Sequence, residues 1–396
     1  LNTAEVYDTS RVKFTRTAGA MTKKRRHHTA TLLQNGKVLI AGGENEDGGV
    51  SGADLYDPDK DIFTATASML EPRYKHTATL LTDGKVFLCG GANKLGSLQS
   101  CEIYDPATGL FNSTASMSVP RYDHTATLLP NGWVLVTGGE GIDSTSVEIY
   151  NPSIGGFLAS PAVGSLLNGR DGHTAVRPAY AVGKARFTNG SAAVTGSDGT
   201  SFGLAGTAWN ASMVKAGDII MSVEDNVPYV IQTIGGANSI TLSSAYTGTS
   251  TAQKLTAGSS TDGFEDYVIL SQDVYITGGE VLDVSTEVFD FDNGDDDWPG
   301  ADPMDSDMDA GADINSGRYG HTMTALANGR LLITGGKNLT NGEYTSLAGT
   351  PDDFTDDTWG TSGLDSWEWK FHTAFRLVNQ TVILIRGHSA QVFHSN

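Results

Sequence analysis

The chain has 396 residues, 48 of them glycine, and a formal net charge of −20. This charge disfavours a nucleic-acid binder or a protein of anionic membrane surfaces, because either polyanion would repel the chain before specific contacts formed. The glycine content and the low share of charged residues, 18%, predict a turn-rich globular protein rather than a helical or disordered one. The sequence contains no run of 18 apolar residues, the length that would predict a membrane span. The chain begins at Leu1 without an initiator methionine or a signal sequence, which indicates a processed product or a fragment.

A unit of about 49 residues repeats along the chain, and one copy is about 100 residues longer than the others. In each copy an apolar strand follows His-Thr, and a turn such as Asn35-Gly36 leads to a second strand. This second strand ends in Gly-Gly in the first five copies. A variable loop, an alternating strand such as Ala53–Tyr56, and a fourth strand complete the copy. Four short strands joined by turns predict one blade of a β-propeller. The copies begin at His28, His76, His124, His173, His321 and His372.

These residues resemble the kelch repeat, in its bacterial secreted form. The resemblance rests on the doublet Gly42-Gly43, on Tyr56-Asp57-Pro58 after the third strand, on the aromatic Phe63 of the fourth strand, and on the recurring His-Thr-Ala-Thr-Leu-Leu. It covers residues 1–176 and 264–396. The resemblance implies an all-β fold, a six-bladed kelch-type β-propeller.

The two ends of the chain complement each other. Ala4–Asp8 has the pattern of a third strand and Phe14–Met21 that of a fourth, while the last copy supplies a first and a second strand. We therefore expect one blade built from both termini, which would close the ring and remove exposed sheet edges. Ser389–Phe393 also has the pattern of a third strand, so two segments compete for one place. The spare strand is either an outer added strand or one that pairs with a neighbouring molecule.

The long fourth copy predicts an inserted domain between its first and second strands. Short β-branched runs between Gly, Ser and Asn turns predict a small β-barrel or sandwich, and they resemble small β modules of phage tail fibres and related surface proteins. The predicted organisation is propeller over 1–176, inserted β domain over 177–263, and propeller over 264–396.

An arginine stands three residues before the repeated histidine in five of the six copies. The repeated imidazoles raise the hypothesis of a metal site, but the simpler interpretation is a structural clasp of hydrogen bonds between blades, because buried polar groups need partners. The set comprises Arg25, His28, Arg73, His76, Arg121, His124, Arg170, His173, Arg318, His321 and His372.

The two cysteines lie at positions that face each other in the predicted hairpin. Cys89 ends a second strand and Cys101 begins the third, and the residues at these positions in other copies vary in size together. We expect a Cys89–Cys101 disulfide, which implies an oxidising compartment; the alternative is a pair of small buried thiols.

An acidic stretch precedes the fifth copy. Its carboxylates alternate at Asp305, Asp307, Asp309 and Asp313 as they do in calcium loops, although the glycine is one place late for an EF-hand. Calcium is therefore a candidate cofactor, and a solvated acidic loop is the alternative.

The residues point to a binding or scaffold protein, extracellular or at the cell surface, rather than an enzyme. The variable loops Glu44–Gly52, Ala92–Leu98, Glu140–Ser144 and Lys337–Leu347 share one end of the blades and predict a recognition face for a protein or a glycan. The alternatives are a secreted oxidase of the copper-radical kind, which the kelch resemblance allows, and a structural subunit of a filament. In the latter, the inserted domain or the C-terminal strand would mediate self-association.

Overall fold

The structure is a computed structural model that describes the N-terminal part of the chain almost continuously and mainly strands beyond it. The described residues are 2–8, 13–129, 131–158, 165–177, 179–187, 189–196, 219–222, 228–236, 239–245, 265–270, 274–279, 286–289, 308–311, 321–325, 331–334, 342–346, 358–362, 373–376, 381–386 and 389–394. Every helix-or-strand element within these segments is a β-strand, and none of these segments contains a helix suited to crossing a membrane. The predicted all-β class is confirmed.

Contacts divide the chain into two compact units. Unit 1 comprises residues 1–128 and 132–160, and unit 2 comprises residues 129–131 and 161–396. The strands of the first part are β1 (Glu5–Asp8), β2 (Lys13–Arg16), β3 (Thr29–Leu32), β4 (Val38–Ala41), β5 (Glu44–Asn45), β6 (Gly48–Gly49), β7 (Ala53–Asp57), β8 (Ile62–Ala65), β9 (Thr77–Leu80), β10 (Val86–Cys89), β11 (Ala92–Asn93), β12 (Gly96–Ser97), β13 (Cys101–Asp105), β14 (Leu110–Ser113), β15 (Arg121–Tyr122), β16 (Thr125–Leu128), β17 (Val134–Thr137), β18 (Glu140–Gly141), β19 (Val147–Asn151) and β20 (Gly156–Phe157).

Unit 1 contains three four-stranded antiparallel sheets with the same strand order. Blade 1 is β3-β4-β7-β8, blade 2 is β9-β10-β13-β14, and blade 3 is β16-β17-β19-β20. The strands β1 and β2 form a separate two-stranded sheet, and the pairs β5-β6, β11-β12 and β15-β18 lie in the connections. This order within each sheet agrees with the four-strand repeat predicted from the sequence.

The apolar core of unit 1 lies between successive blades. All four residues of β10 are buried, because its two faces pack against different neighbours. Val86 and Leu88 belong to the cluster shared with blade 1, whereas Phe87 and Cys89 belong to the cluster shared with blade 3. Successive side chains of a strand point to opposite faces, so a strand buried on both sides presents apolar side chains to both neighbours, as β10 does.

Unit 2 contains blade-like sheets and one closed barrel. Its strands are β21 (Thr174–Val176), β22 (Ala179–Arg186), β23 (Ala193–Gly196), β24 (Ile219–Ser222), β25 (Pro228–Gly236), β26 (Ser239–Leu242), β27 (Glu265–Leu270), β28 (Val274–Thr277), β29 (Thr286–Phe289), β30 (Met308–Gly311), β31 (Thr322–Ala325), β32 (Leu331–Thr334), β33 (Gly342–Ser346), β34 (Thr358–Ser362), β35 (Thr373–Arg376), β36 (Thr381–Arg386) and β37 (Ser389–His394). The sheets are β21-β28-β29-β30, β31-β32-β33-β34 and β35-β36-β37.

The barrel has the strand order β22-β23-β26-β25-β24-β27, and its strands lie in the chain between β21 and β28, which pair with each other. Its interior holds Phe187, Ile220 and Ile240, among other buried side chains. The closing strand β27 pairs with β22 and β24, so the barrel includes residues up to 270, beyond the end at 263 expected from the sequence.

The C-terminal strand β37 takes the third-strand place beside β36, with Ser389 opposite Arg386 and His394 opposite Thr381. Of the two segments that compete for this place, the C-terminal one therefore occupies it. β1 pairs with β2. A ring of six blades closed by both termini stays a prediction.

Candidate binding face

The repeated arginine closes the base of the loop that joins the second and third strands of its own blade. The Nη1 atom of Arg73 donates to the carbonyl oxygens of Gly90 (2.7 Å) and Ser100 (2.9 Å), and Nη2 donates to Glu102 Oε1 (2.8 Å). Gly90 and Ser100 stand at the two ends of the loop, so one buried guanidinium binds both. The planar donor set of arginine suits this multidentate role better than an ammonium group would.

Blades 1 and 3 repeat this arrangement. Arg25 donates to Gly42 O (2.9 Å), to Gly52 O (2.8 Å) and to Asp54 Oδ2 (2.7 Å). In blade 3, Arg121 Nη1 donates to Gly138 O (2.8 Å) and Ser146 O (2.8 Å), and Arg121 Nη2 donates to Glu148 Oε1 (2.8 Å). Burial lowers the pKa of the Arg25 and Arg121 guanidinium groups, and the facing carboxylates oppose that shift.

Each of these carboxylates also binds the chain that leads to the arginine. Asp54 Oδ1 accepts from the amide of Thr22 (3.2 Å), Glu102 Oε2 from that of Leu70 (2.8 Å), and Glu148 Oε2 from that of Ser118 (2.8 Å). The donating amide lies three residues before the arginine in every case. Each buried charge is therefore paired and further hydrogen-bonded, which is the condition for burying it at acceptable cost.

The repeated histidines connect neighbouring blades. His76 Nε2 is 3.0 Å from Thr29 Oγ1 of blade 1, and His124 Nε2 is 3.0 Å from Thr77 Oγ1 of blade 2. In unit 2, His321 Nε2 lies 2.9 Å from Thr174 Oγ1. Burial, followed by the charge of the neighbouring arginine, lowers the pKa of His76 and His124 to about 3. The imidazoles of His76 and His124 are therefore neutral at physiological pH.

The arginine side chains thus donate within their own blade, whereas the histidine side chains contact threonines of a neighbouring blade. An arginine side chain in this position faces the third strand of its own sheet. That strand carries a carboxylate, which pairs with the guanidinium inside the blade. Arg170 follows the same pattern, with Nη1 donating to Gly278 O (3.1 Å), and His173 is buried. Arg318 and His372 lie outside the described residues.

The Gly-Gly doublet is required by backbone conformation and by space. Gly42 and Gly43 have φ values of 66° and 94°, in the left-handed region that favours glycine. A Cβ atom on Gly42 would lie 2.5 Å from the carbonyl oxygen of Arg73 in the next blade. The amide of Gly43 donates to that same oxygen (2.8 Å). The doublet therefore brings two blades into direct backbone contact, where a side chain would not fit.

Three non-glycine residues directly before the repeated histidines also have left-handed backbones. They are His27 (φ 54°), Lys75 (54°) and Asp123 (52°), whereas Gly172 (58°) stands at this position in the fourth copy. The amide of Lys75 donates to His27 O (3.0 Å), and that of Asp123 donates to Lys75 O (3.2 Å). A left-handed conformation costs about 1–2 kcal/mol for a residue with a Cβ. Blades 1–3 thus retain side chains where glycine would be less strained, a pattern found at functional positions.

The side chains of these residues form polar contacts with their neighbours. Lys75 forms an ion pair with Asp123 and lies 5.0 Å from the centre of the Tyr122 ring. His27 Nδ1 is 3.2 Å from Glu44 Oε1. A hydrogen bond to Glu140, together with burial, raises the pKa of Tyr122.

We name loop 1 (Glu44–Gly52), loop 2 (Ala92–Leu98) and loop 3 (Glu140–Ser144), and we call these loops with His27, Lys75 and Asp123 the loop face of unit 1. Loops 1 and 2 are short hairpins, β5-β6 and β11-β12, and β18 of loop 3 pairs with β15. The side chains of Asn45 and Asn93 accept hydrogen bonds from the amides two residues later (2.9 and 2.8 Å), which shapes the two tips as Asx turns. The recognition loops predicted from the sequence are therefore ordered in unit 1.

The tips of loops 2 and 3 expose large apolar side chains. Leu95 is 96% exposed and Ile142 is 84% exposed, the two highest values for large hydrophobic residues within the described part of the chain. A single exposed leucine is ordinary. Both lie on loops whose bases are fixed by hydrogen bonds from a buried arginine side chain, Arg73 for Leu95 and Arg121 for Ile142.

A disulfide adds a second brace beneath loop 2. Cys89 and Cys101 are opposite each other in the β10/β13 register, their sulfur atoms are bonded, and both residues are buried. The corresponding residues beneath loop 1 are Ala41 and Ala53. Loop 2, which carries the most exposed apolar side chain described, is therefore held by both Arg73 and a covalent bond.

A cleft of about 510 Å³ lies beside loop 1, between Lys23–Arg26 and Glu44–Asp47. Its walls carry opposite charges, and Arg26 Nε is 3.0 Å from Glu44 Oε1. Part of its charge is thus neutralised within the chain.

The predicted calcium ligands Asp305, Asp307 and Asp313 lie outside the described residues, and Asp309 lies in β30 with no described side-chain position. Calcium therefore stays a prediction. Across the segments with described side chains, no group of three or more His, Cys, Asp or Glu residues is arranged to hold a metal ion.

Sequence reasoning did not identify the carboxylate partners or the left-handed residues. A signal for the first existed: an acidic residue is second in Ala53-Asp54, Cys101-Glu102 and Val147-Glu148, at the start of each third strand. The signal for the left-handed residues was Gly172, because a glycine occupies in the fourth copy the position that His27 holds in the first.

A kelch motif model matches residues 73–118, which run from the arginine of blade 2 to the connection that precedes blade 3. Among curated proteins, none matches the chain. Among solved structures, the chain is similar to a novel fungal alcohol oxidase of the AA5 family, in complex with copper, at 12% identity, covering 91% of this chain and 69% of that one with a TM-score of 0.41. It is also similar to YjhT, at 13% identity, covering 92% of this chain and 91% of that one with a TM-score of 0.46. The motif match lies in blade 2, whose four-strand order recurs in blades 1 and 3, so this all-β chain contains a kelch motif.

Proposed function

We propose that this chain is a binding scaffold and that the loop face of unit 1 contacts a protein partner. The observation that carries the proposal is Leu95, 96% exposed at the tip of a loop whose base is fixed by Arg73 and by the Cys89–Cys101 disulfide. A rigid loop loses little conformational entropy on binding, so an exposed apolar side chain on it contributes more of its contact energy to affinity.

Two further features support a recognition role for the same face. His27, Lys75 and Asp123 retain strained backbones with their side chains, and charged residues surround the apolar tips, as in an interface with an apolar centre and a polar rim. Kelch propellers serve as scaffolds for binding proteins, and the exposed, variable loops of a rigid frame suit that use.

We propose an extracellular or cell-surface location for this scaffold. A disulfide persists in oxidising compartments and is rare in the cytosol. The buried Cys89–Cys101 pair supports that assignment.

Site-specific photo-crosslinking in an extract of the native source tests the proposal. A photoreactive amino acid is placed at Leu95 or Ile142, and as matched controls at Asp83 or Ile154, which lie in exposed turns at the opposite ends of the strands. We expect discrete crosslinked species from the loop-face positions, reduced by an excess of unlabelled protein, and none from the controls. Equal crosslinking at all four positions, or crosslinking at the controls alone, would refute the loop face as the binding surface.

A further inference from the structure

We infer that the loop face of unit 1 binds the loop face of a second copy of this chain, in a twofold-symmetric dimer. This inference rests on the proposed function and names its partner. It is carried by the way charge and apolar surface are distributed over loops 2 and 3.

Loops 2 and 3 are held side by side by backbone hydrogen bonds. The amide of Arg121 donates to Leu98 O (3.1 Å) at the end of loop 2, and the amide of Gly91, at its start, donates to Arg121 O (2.9 Å). Arg121 in turn pairs with Gly141 of loop 3 in the β15-β18 ladder. The two tips therefore keep a defined spacing and orientation on one rigid frame.

The two tips carry similar apolar side chains but opposite charges. In loop 2 the exposed Lys94 adjoins Leu95, whereas in loop 3 the exposed Glu140 and Asp143 flank Ile142. Each tip thus presents an apolar side chain, with a positive charge beside it in loop 2 and negative charges beside it in loop 3.

Such a face is complementary to itself. A twofold axis that lies in the interface and passes between the loops brings loop 2 of one copy onto loop 3 of the other, and does so twice. Leu95 then meets Ile142 of the partner subunit, and Lys94 meets Glu140 of the partner subunit, in two identical sets of contacts. This reciprocity is the defining feature of an isologous interface. Buried apolar contacts with charge pairs at the rim supply affinity and register respectively.

The net charge of −20 opposes association of two copies. Charge-reversal variants therefore separate the effect of one intermolecular ion pair from the effect of net charge. Lys94→Glu makes the chain more negative and Glu140→Lys makes it less negative, yet both break the same intermolecular pair. The double variant Lys94→Glu/Glu140→Lys has the original net charge and restores the pair with its signs exchanged.

Sedimentation equilibrium of the full chain from about 1 μM to about 1 mM measures the dimer dissociation constant over the range of weak and moderate affinities. We expect a reversible dimer that Leu95→Asp and Ile142→Asp each weaken at least tenfold, because each lost contact occurs twice. Ile154→Asp, at a residue 67% exposed in a turn at the other end of blade 3, should leave the constant unchanged.

We expect both single charge reversals to weaken the dimer and the double reversal to restore it to within about threefold, a difference of less than one tenfold step in affinity. A monomer at every concentration overturns the inference, as does a dimer that Leu95→Asp leaves intact. A dimer that Glu140→Lys strengthens also overturns it, because net charge would then govern association. If the protein is monomeric but crosslinks to another protein through Leu95 and Ile142 in the native extract, the proposed function stands and only the choice of partner fails.

Discussion

Replacing Arg73 with methionine removes the brace beneath loop 2 while keeping an apolar side chain of similar length. The wild-type guanidinium has no exposed surface and donates to Gly90 O, Ser100 O, Ser100 Oγ and Glu102 Oε1 at 2.7–3.1 Å. Without it, the carboxylate of Glu102, 2% exposed, keeps only the backbone donors of Leu70 and Glu71.

We expect Arg73→Met to lower the free energy of unfolding by about 3–5 kcal/mol, because it leaves an uncompensated buried charge. The carbonyl oxygen of Gly90 also loses its side-chain donor, at about 1–3 kcal/mol for a group left unsatisfied, whereas Ser100 O keeps the amide of Gly90 as a donor (3.1 Å). Arg73→Met/Glu102→Leu removes both charges, so it should be less destabilising than the single change. Loss of stability in the double variant equal to the sum of the two single variants would contradict this reasoning.

Urea unfolding followed by tryptophan fluorescence measures the change, with Trp133 as the reporter that unit 1 contributes. The matched control is Arg26→Met, since Arg26 also pairs with a carboxylate, that of Glu44 (3.0 Å), but its side chain is 73% exposed. An exposed pair of this kind contributes at most about 1 kcal/mol. If Arg73→Met costs no more than Arg26→Met, the buried arginine does not brace the loop.

Two further predictions concern the histidine bridges and the disulfide. Because the pKa of His76 is lowered to about 3 by burial and by Arg73, its stability contribution is complete above the unfolded pKa of about 6.5. It is lost as the pH falls from there towards the folded pKa, by about 1.4 kcal/mol per pH unit. Urea titrations at several pH values should show a shallower slope for His76→Gln, and an unchanged slope would contradict the depressed pKa. Removing the disulfide with Cys89→Ala/Cys101→Ala, the pair of residue types found beneath loop 1, should cost about 3 kcal/mol by the chain-entropy model, visible as a lower midpoint in calorimetry. A midpoint that equals that of the oxidised wild type would show that the bond does not brace the loop.

The strands and their order within a blade could be predicted because they depend on local patterns. An apolar run such as Val86–Cys89 ends in a glycine doublet in five of the six copies, and an alternating run such as Cys101–Tyr104 follows a variable loop. Repetition within one chain makes these patterns stand out even where single elements are short. The cysteine pair could be predicted for the same reason, since the register of a hairpin follows from its turn and its alternation.

The sequence by itself determined the all-β class, the repeat and the residues that recur in it. Only the tertiary structure decided what those residues contact: Arg73 binds within its own blade, His76 binds Thr29 of the preceding blade, and β37 takes the place for which β1 was also a candidate. A repeat reveals which positions matter, because the same local chemistry recurs at each. The partner of a buried polar group depends on which donors and acceptors the packed sheets bring within about 3 Å of each other, and that distance is set by packing rather than by spacing along the chain.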